Sequence, residues 1–470
     1  MRPGPANPPP ARGGHAEVIV VGAGIAGLTT AFLLARAGVA VVVLEAGNRP
    51  GGVVRSETVD TPAGRFLFES GPNTVIDGNR EIAELIAAAG LGEERQQAAG
   101  HAGRRYLWKQ GRLHALPSGP LSFLRTPLFP LGGKLRFLGE PFARRPAPGR
   151  EETVGDFVRR RLGRAFLDDA AGPFVSGIYA GDPERLSVRW ALPRLHALES
   201  EHGGLFRGAV ARLRQRGSEP RPRPSRKLFS FPAGLDTLPH RLAESVDLRT
   251  GTAAHAVRIA DGGFAVDTGG GTWTAPRVVL AVAGAATARL LGEATGGRAA
   301  LFAEVPAASV AVVSYGVRRA DVAHRLDGFG FLAPRHESLR VLGCLFPASI
   351  FAGRAPDGHA VLTVFVGGRT DPEAVELPDD DLDRLVRRDL HAALGFAGEP
   401  VVRRITRWPL ALPQYEVGHG RFVARAREVE AELPGLSLAG DFLGGISVPD
   451  RVARGTAVAA GLLAADRNGS

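Results

Sequence analysis

A glycine-rich turn near the N-terminus has the residue types and spacing of a dinucleotide-binding site. Its glycines follow the apolar run Val18–Val21. The first permits a tight turn, the second lets the backbone approach a pyrophosphate, and the third lets a helix pack closely. Glu45, after a second apolar run, can accept hydrogen bonds from both hydroxyl groups of an adenosine ribose. The residues predicted to contact a dinucleotide here are Gly22, Ala23, Gly24, Ile25, Ala26 and Gly27.

The elements around this turn would position it correctly. The run Val18–Val21 reads as a strand, an amphipathic stretch follows to Ala37, and residues 39–44 read as a second strand. The start of the helix offers free N–H groups and a partial positive charge to phosphates. This order predicts a Rossmann-like unit. Alternating strands and helices over residues 290–404, with a helix over Asp379–Leu394, predict a mixed sheet. The expected fold class is therefore α/β with mixed α+β character.

A second glycine-containing loop follows Glu45 directly. It runs from Ala46 through Arg49 to Gly52 and reads AGNRPGG. Its N–H groups, together with Arg49 or Arg55, are candidates for holding phosphates, and a solvated loop is the alternative for the arginines. The segment resembles the ExxxRxGG loop of the flavin-dependent amine oxidase superfamily. The resemblance implies FAD, held non-covalently, rather than NAD.

The resemblance covers three more stretches. A strand that enters a turn near residue 71 passes close to the flavin, and a strand near residue 254 meets the adenine. A C-terminal strand that ends in Gly-Asp, with the helix after it, returns to the flavin. Because both ends of the chain contact one FAD, its domain must be discontinuous. The implied contacts are Gly71, Pro72, Asn73, Thr74, Ala254, Asp441, Ile446, Ser447 and Val448.

Bulk composition excludes several classes of protein. The chain has 470 residues, too many for a single core, so two or three domains are expected. A single cysteine, Cys344, excludes a disulfide framework and a cysteine metal cluster, and we expect no metal site. The net charge is +10. In the absence of a nucleic-acid motif, this surplus suits anionic lipid or a substrate that carries carboxylates.

Three stretches carry weaker signals. Residues 113–145 combine dense leucine, phenylalanine and proline with arginine and lysine, which suits a patch resting on a bilayer, with a proline-rich core insertion as the alternative. Residues 207–227 form a basic connector that we predict to be a mobile loop. Residues 1–15 are rich in proline and glycine and predict a disordered tail rather than a secretory signal. No apolar run is long enough to predict a spanning helix.

Four strings point to one family. They are RYLWKQGRLHALP from Arg105, VSGIYAGDPERLS from Val175, GFGFLAP from Gly328 and ALPQYEVGH from Ala411. Each resembles protoporphyrinogen oxidase, and the likeness runs from about residue 17 to 465. The resemblance implies an enzyme of heme biosynthesis that removes six electrons from a porphyrinogen in three steps. Each electron pair would pass through FAD to oxygen, which leaves as hydrogen peroxide.

The resemblance also implies residues for the substrate. Arg105 would pair with a propionate, and Gly177 would offer its carbonyl to pyrrole N–H groups. An apolar slot for the macrocycle would be lined by Leu332, Leu345 and Phe365. A surface arginine and ordinary core packing are the alternatives. No catalytic side chain is expected, because a porphyrinogen meso carbon can give hydride directly to flavin N5 when the site holds it in place.

Other readings stay open. Coproporphyrinogen III, with four propionates, is the alternative substrate, and an amine or polyene oxidase of the same superfamily is the next. A third reading is an FAD-bearing partner in a heme-biosynthesis complex without turnover of its own. Two positions depart from the family pattern, because Asn73 stands where many members have arginine and Asp441 where many have asparagine or alanine. Both departures weaken the substrate assignment rather than the fold.

We expect three domains after the tail. The FAD-binding domain comprises residues 16–89, 230–290 and 405–470, and the substrate-binding domain comprises residues 90–104, 198–229 and 291–404. Residues 105–197 form a mainly helical, membrane-associating domain. The candidate partners are the porphyrinogen, oxygen, a membrane surface, a ferrochelatase that takes the product, and a second copy of the chain. The expected location is the cytoplasm, with peripheral contact to the inner face of the cell membrane.

Overall fold

Strands and helices alternate along most of the chain. The computed structural model describes residues 13–144, 146–147, 149–215 and 227–469, so most of the predicted tail and residues 216–226 of the basic connector lie outside the described residues. The strands are β1 (Val18–Val21), β2 (Val41–Leu44), β3 (Ser56–Thr61), β4 (Gly64–Glu69), β5 (Val75–Ile76), β6 (Gln96–Gln97), β7 (Arg105–Lys109), β8 (Arg112–Ala115), β9 (Leu228–Ser230), β10 (Asp247–Arg249), β11 (Ala254–Ala260), β12 (Gly263–Thr268), β13 (Gly271–Ala275), β14 (Arg277–Leu280), β15 (Ala307–Arg318), β16 (Gly330–Leu332), β17 (Gly343–Leu345), β18 (His359–Gly367), β19 (Val402–Pro413) and β20 (Leu436–Leu438).

The helices lie between and after these strands. They are α1 (Ile25–Arg36), α2 (Arg80–Ala88), α3 (Pro120–Arg125), α4 (Leu131–Leu138), α5 (Val154–Arg161), α6 (Arg164–Phe166), α7 (Gly172–Tyr179), α8 (Val188–Ala191), α9 (Pro193–His202), α10 (Leu205–Gln215), α11 (Thr237–Ala243), α12 (Gly284–Leu290), α13 (Pro347–Ile350), α14 (Glu373–Glu376), α15 (Asp379–Leu394), α16 (Gly420–Glu432) and α17 (Val448–Gly469). Within the described part of the chain, no helix has both the length and the apolar character needed to cross a bilayer.

The Rossmann-like unit is a five-stranded parallel sheet with the order β10-β2-β1-β14-β20. Every residue of the central strand β1 is buried, because both faces of the sheet are covered. Val18 and Val20 belong to the core that contains residues of α1 and α17, whereas Ile19 and Val21 belong to the core on the opposite face. This sheet confirms the predicted α/β class and joins segments from both ends of the chain.

A larger sheet has seven strands in the order β19-β15-β18-β17-β16-β7-β8. One of its faces packs on α15, where Tyr315, Cys344 and Val364 share a buried cluster with Val386 and Leu390. Burial raises the pKa of the Cys344 thiol. The α15 helix begins and ends as the sequence predicts. The opposite face of the sheet is therefore the one left for other contacts.

Sheet membership changes two of the expected domain boundaries, and a helix crosses a third. Strands β7 and β8 begin the segment expected to be helical, yet they complete the seven-stranded sheet because β7 pairs with β16. Strand β19 also belongs to that sheet, although residues from 405 onward were expected in the FAD-binding domain. The boundary expected between residues 197 and 198 falls inside α9, whose Glu199 side chain bonds to α5 of the helical region. Helix α10 covers residues 205–215, so the predicted mobile loop is wrong for that part.

A buried ion network organises the helical region. Arg161 and Glu140 are both fully buried, with the Arg161 Nη1 atom 3.1 Å from the Glu140 Oε1 atom. Arg161 Nε also donates to Glu199, at 2.8 Å. Glu140 accepts the first N–H groups of α10, from Leu205 at 2.8 Å and Phe206 at 3.1 Å. These bonds fix α5, α9 and α10 to the turn that follows α4.

Removing Arg161 should destabilise this region strongly. Arg161→Met leaves the Glu140 carboxylate buried without its cation, and breaking such a pair costs about 3–5 kcal/mol. We expect a clearly lower midpoint of thermal unfolding, measured by circular dichroism. Arg164→Met is the matched control, because the Arg164 side chain is 83% exposed and exposed pairs contribute about 0.2–1 kcal/mol. Equal drops in the two midpoints would contradict the structural role of the network.

Candidate functional site

The glycine turn between β1 and α1 has the geometry of a phosphate cradle. Gly22 has a φ of +102°, and a Cβ atom there would lie 2.7 Å from the Ala281 carbonyl oxygen. A Cβ atom on Gly27 would lie 2.1 Å from the Gly22 carbonyl oxygen, so only glycine lets α1 start this close to the turn. Gly24 faces open space and is the residue just before α1, where it provides no side-chain cap. The first N–H groups of α1 are thus open to an anion.

Glu45 braces this cradle. Its Oε2 atom accepts the Ala23 N–H at 2.7 Å, and its Oε1 atom accepts the Gly47 N–H at 2.7 Å. Each carboxylate oxygen keeps a further lone pair for a ribose hydroxyl group. The Thr252 N–H donates to the Glu45 carbonyl at 2.8 Å, which brings Ala254, at the start of β11, near the same place. The predicted ribose and adenine residues therefore lie together.

The second loop lies against the first, but Arg49 does not point out of it. The Gly51 N–H donates to the Ala23 carbonyl at 2.8 Å, and a Cβ atom on Gly52 would lie 3.4 Å from the Gly24 Cα atom. The Arg49 guanidinium donates to three carbonyl groups of its own loop. Burial lowers the pKa of Arg49. Arg49 thus holds the loop in shape, and Ala46 is exposed beside it.

The loop after β4 approaches the same region. A Cβ atom on Gly71 would lie 1.9 Å from the Val53 carbonyl oxygen, so this contact requires glycine. Asn73 is buried, and its Nδ2 atom donates to the Gly71 carbonyl at 3.0 Å, whereas its Oδ1 atom has no partner among the described residues. Pro72 and Thr74 are half-buried on either side. The free Oδ1 atom is an acceptor suited to a ligand N–H or hydroxyl group.

The C-terminal segment completes the cradle. Asp441 follows β20, and burial raises the pKa of its carboxyl group. Its backbone carbonyl accepts the Tyr415 hydroxyl at 2.8 Å, so Tyr415 has a structural role. Ser447 and Asp450 cap the start of α17, with the Ser447 hydroxyl 2.6 Å from the Asp450 carboxylate. The cap is flanked by half-buried Ile446 and buried Val448.

These contacts fit a dinucleotide with a flavin end. Its phosphates would bind at the uncapped start of α1, in the open space at Gly24. The free Oδ1 atom of Asn73 would supply a further polar contact. Buried Ile25 and Ala26 lie in the first turn of α1 and serve packing. Their neighbour is α17, because a Cβ atom on Gly455 would lie 2.5 Å from the Ala26 carbonyl oxygen.

The predicted substrate residues share one face of the seven-stranded sheet. Arg105 pairs with Gly330, which pairs with Leu345. Leu332 pairs with Gly343, which pairs with Phe365. Because paired residues point to the same side of a sheet and alternate residues share a face, all four side chains lie opposite α15. The three apolar side chains are half-buried. Arg105 is exposed at the β7 end of this face, and its guanidinium lies 5.1 Å from the Phe329 ring centroid.

Gly177 contacts this face from α7. A Cβ atom there would lie 2.4 Å from the Leu332 Cδ2 atom, so glycine allows the helix to approach the sheet. The helix ends at Tyr179, which leaves the Gly177 carbonyl in the last turn without a following helical N–H group. The Tyr179 hydroxyl donates to the Ala191 carbonyl, so this tyrosine is also structural. The structure therefore brings the five predicted substrate residues into one neighbourhood.

An open cleft of about 1020 Å³ continues this face beyond Arg105. Sequence reasoning found Arg105 but missed the cleft, because its other basic residues come from loops and from α3. Leu116 lines the cleft and also joins the apolar cluster that contains Leu332 and Ile446. Sequence reasoning also missed Trp408, whose Nε1 atom donates to the carbonyl of residue 70 at 2.6 Å and ties the loop after β4 to the sheet.

A dinucleotide cradle beside an apolar sheet face defines a flavoprotein oxidoreductase. The chain belongs to the flavin containing amine oxidoreductase family, whose profile matches residues 25–466. It is therefore an FAD-dependent enzyme, and the expected cofactor is confirmed.

Named relatives cover nearly the whole chain. It is 32% identical to the chloroplastic protoporphyrinogen oxidase of Oryza sativa subsp. japonica, over 95% of this chain and 88% of that protein. It is 26% identical to the coproporphyrinogen III oxidase of Bacillus subtilis, over 94% of this chain and 97% of that protein. A crystal structure from Exiguobacterium sp. 255-15, provisionally named a protoporphyrinogen oxidase, is 27% identical with a TM-score of 0.79, over 96% of this chain and 99% of that one.

Two glycine variants should separate cofactor binding from folding. Gly24→Val places a side chain in open space, so the protein should fold but hold little FAD. Gly27→Ala collides with the Gly22 carbonyl, so it should lose FAD and also unfold at a lower temperature. The measurements are the ratio of flavin to protein absorbance and the thermal midpoint after FAD removal. Gly92→Ala is the control, because nothing lies within 4 Å of its added Cβ atom. Full flavin content in Gly24→Val would contradict the cradle.

His419 should make the protein less stable in acid. Its Nε2 atom lies 2.8 Å from the Phe442 carbonyl, and burial lowers its pKa to about 4. In the unfolded chain this pKa returns to about 6.5, so the unfolded chain binds a proton that the folded chain does not, and stability falls as pH drops through this window. We expect wild type to lose about 2 kcal/mol more than His419→Gln between pH 7.5 and 5.0 in urea unfolding. Equal losses would exclude this contribution.

Proposed function

We propose that the protein is an oxygen-dependent oxidase of protoporphyrinogen IX and forms protoporphyrin IX with hydrogen peroxide as the by-product. The observation that carries this proposal is the sheet face on which Arg105 stands at one end of an apolar surface made by Leu332, Leu345 and Phe365. A macrocycle with an apolar body and carboxylates on one edge matches that distribution of charge. The name of the rice relative, which aligns over nearly the full chain, agrees with it.

Charge placement favours two propionates over four. From β7 to β18, the residues on this face are Arg105, Leu107, Gly330, Leu332, Gly343, Leu345, Thr363 and Phe365. Strands lie about 4.8 Å apart, so Phe365 is about 14 Å from the Arg105 strand. A carboxylate carried that far across the face would be removed from water without a cation, which is costly. Both propionates therefore lie at the β7 end.

The residues of the chain hold the substrate rather than exchange protons with it. Arg105 grips a carboxylate by a charge-assisted bond. The apolar face holds the macrocycle in place and excludes water, and the Gly177 carbonyl accepts a pyrrole N–H. FAD supplies the redox chemistry by taking an electron pair from the substrate and passing it to oxygen. Each of three rounds removes two electrons and two protons from the substrate and converts one oxygen molecule into one hydrogen peroxide.

Coproporphyrinogen III is the second candidate substrate, because the Bacillus subtilis relative carries that name. Oxidation of both porphyrinogens by the purified yellow protein should be followed by the appearance of porphyrin fluorescence. We expect a higher kcat/KM for protoporphyrinogen IX, and about a tenfold decrease in Arg105→Ala, the size of a lost charge-assisted bond. Preference for coproporphyrinogen III would replace the proposed substrate. Turnover of neither above the spontaneous rate would reject both and leave amines or polyenes.

We further propose that helices α3 and α4 rest on a membrane surface at the inner face of the cell membrane. Neither helix has a buried residue, and the large exposed side chains there are Leu121, Leu124, Leu131, Leu135, Leu138 and Phe142. Lys134 and Arg136 lie among them. An apolar surface with interspersed cations suits the boundary of an anionic bilayer. The expected ferrochelatase contact and homodimer have no supporting observation among the described residues.

Co-sedimentation with vesicles tests this surface. Leu131→Glu with Leu135→Glu adds charge to exposed positions, so folding should persist while binding to vesicles of anionic and neutral phospholipid drops about tenfold or more. A matched pair, Ile259→Glu with Val417→Glu, changes exposed apolar residues elsewhere and should bind as wild type does. Unchanged sedimentation of the α4 variant would reject the membrane surface.

A further inference from the structure

The open cleft beyond Arg105 carries more positive charge than one propionate requires. Its lining includes Arg104, Arg105 and Arg125, and none of the described residues that line it is an aspartate or glutamate. Arg104 is already paired with Asp327, which lies outside the lining. Burial and the charge of a neighbouring arginine lower the pKa of His114, which also lines the cleft.

Arg105 and Arg125 are the other two arginines of this lining. Both are exposed toward the cleft, and neither has an acidic partner among the described residues. Arg105 is the first residue of β7, whereas Arg125 is the last residue of α3. They therefore approach the same cleft from two different elements. Arginine offers a planar fork to a carboxylate, so each can hold one such group.

We propose that Arg125 is a second carboxylate-binding residue, and that Arg105 and Arg125 each bind one of two neighbouring carboxylates on a single edge of the substrate. This inference rests on the proposed function and makes it more specific. The protein would then recognise a pair of carboxylates carried by neighbouring pyrroles of the substrate. The macrocycle that carries them would lie on the apolar face. A ligand with one free carboxylate would engage only one arginine.

Binding of the porphyrin product to the FAD-loaded protein tests this clamp. Protoporphyrin IX and its dimethyl ester differ only in whether their carboxylates are free. Fluorescence titration of each ligand, in the same non-ionic detergent and without lipid, gives the two dissociation constants. Arg125→Ala should weaken binding of the diacid about fivefold and of the diester less than about twofold, the effect of one exposed ion pair. Arg125→Lys should retain most of the affinity. Arg65→Ala removes the same charge from an exposed hairpin outside the cleft and should bind as wild type does.

The double variant Arg105→Ala with Arg125→Ala decides whether the arginines bind separate groups. Arg105→Ala should weaken binding of the diacid about tenfold, so separate carboxylates predict that the two losses multiply, to about 50-fold. A double variant no weaker than the stronger single variant would mean one shared carboxylate and would overturn the clamp. An equal loss for diacid and diester would overturn it as well, and so would an Arg125→Ala effect confined to binding of anionic phospholipid vesicles.

Failure of the clamp and failure of the proposed function are distinguishable. If wild type oxidises protoporphyrinogen IX and binds the diacid while Arg125→Ala matches it in both, only the clamp is wrong. If wild type neither oxidises the porphyrinogen nor binds the porphyrin, the proposed function is rejected and the clamp with it.

Discussion

The contact between α1 and α17 is the constraint on which the cofactor site depends. It joins the first helix of the chain to the last, and it exists because Gly455 has no side chain between them. The Thr30 hydroxyl donates to the Gly455 carbonyl at 3.1 Å, which fixes the two helices in register. Because α1 carries the phosphate cradle and α17 begins near Ile446, this one close approach sets the distance between the two ends of the FAD site.

The seven-stranded sheet adds a second constraint through its alternating side chains. Tyr106, Phe331 and Cys344 enter the α15 core, so their sequence neighbours must face the other way. The same residues that stabilise the domain thus determine which side chains meet the substrate. A one-residue shift of β16 would exchange Phe331 for Leu332 and disrupt both faces together. Trp408 then ties this sheet to the loop after β4, which links the substrate face to the cofactor cradle.

Local patterns predicted the parts of the molecule that depend on neighbouring residues in the chain. The glycine spacing from Gly22 to Gly27 and the helical pattern of α15 are complete within short segments. The position of β7 in the sheet could not be predicted in this way, because its partner β16 lies more than 200 residues further along the chain. No pattern within residues 105–109 indicates which strand pairs with it. The loop sequence makes Arg49 a candidate for phosphates, whereas its hydrogen bonds to carbonyl groups of the same segment are visible only in the folded chain. Arg125 had no signal at all, since the cleft exists only after folding.

The sulfur content of the chain suits an enzyme that releases an oxidant beside its own cofactor. The sequence has one cysteine and one methionine, and the methionine is the first residue. Cys344 lies in the α15 core with 1% of its surface exposed, where burial disfavours the thiolate that peroxide attacks. Under the proposed reaction, every turnover yields three peroxide molecules. Among the described residues, the one sulfur atom is therefore buried where peroxide from each turnover meets no exposed thiolate.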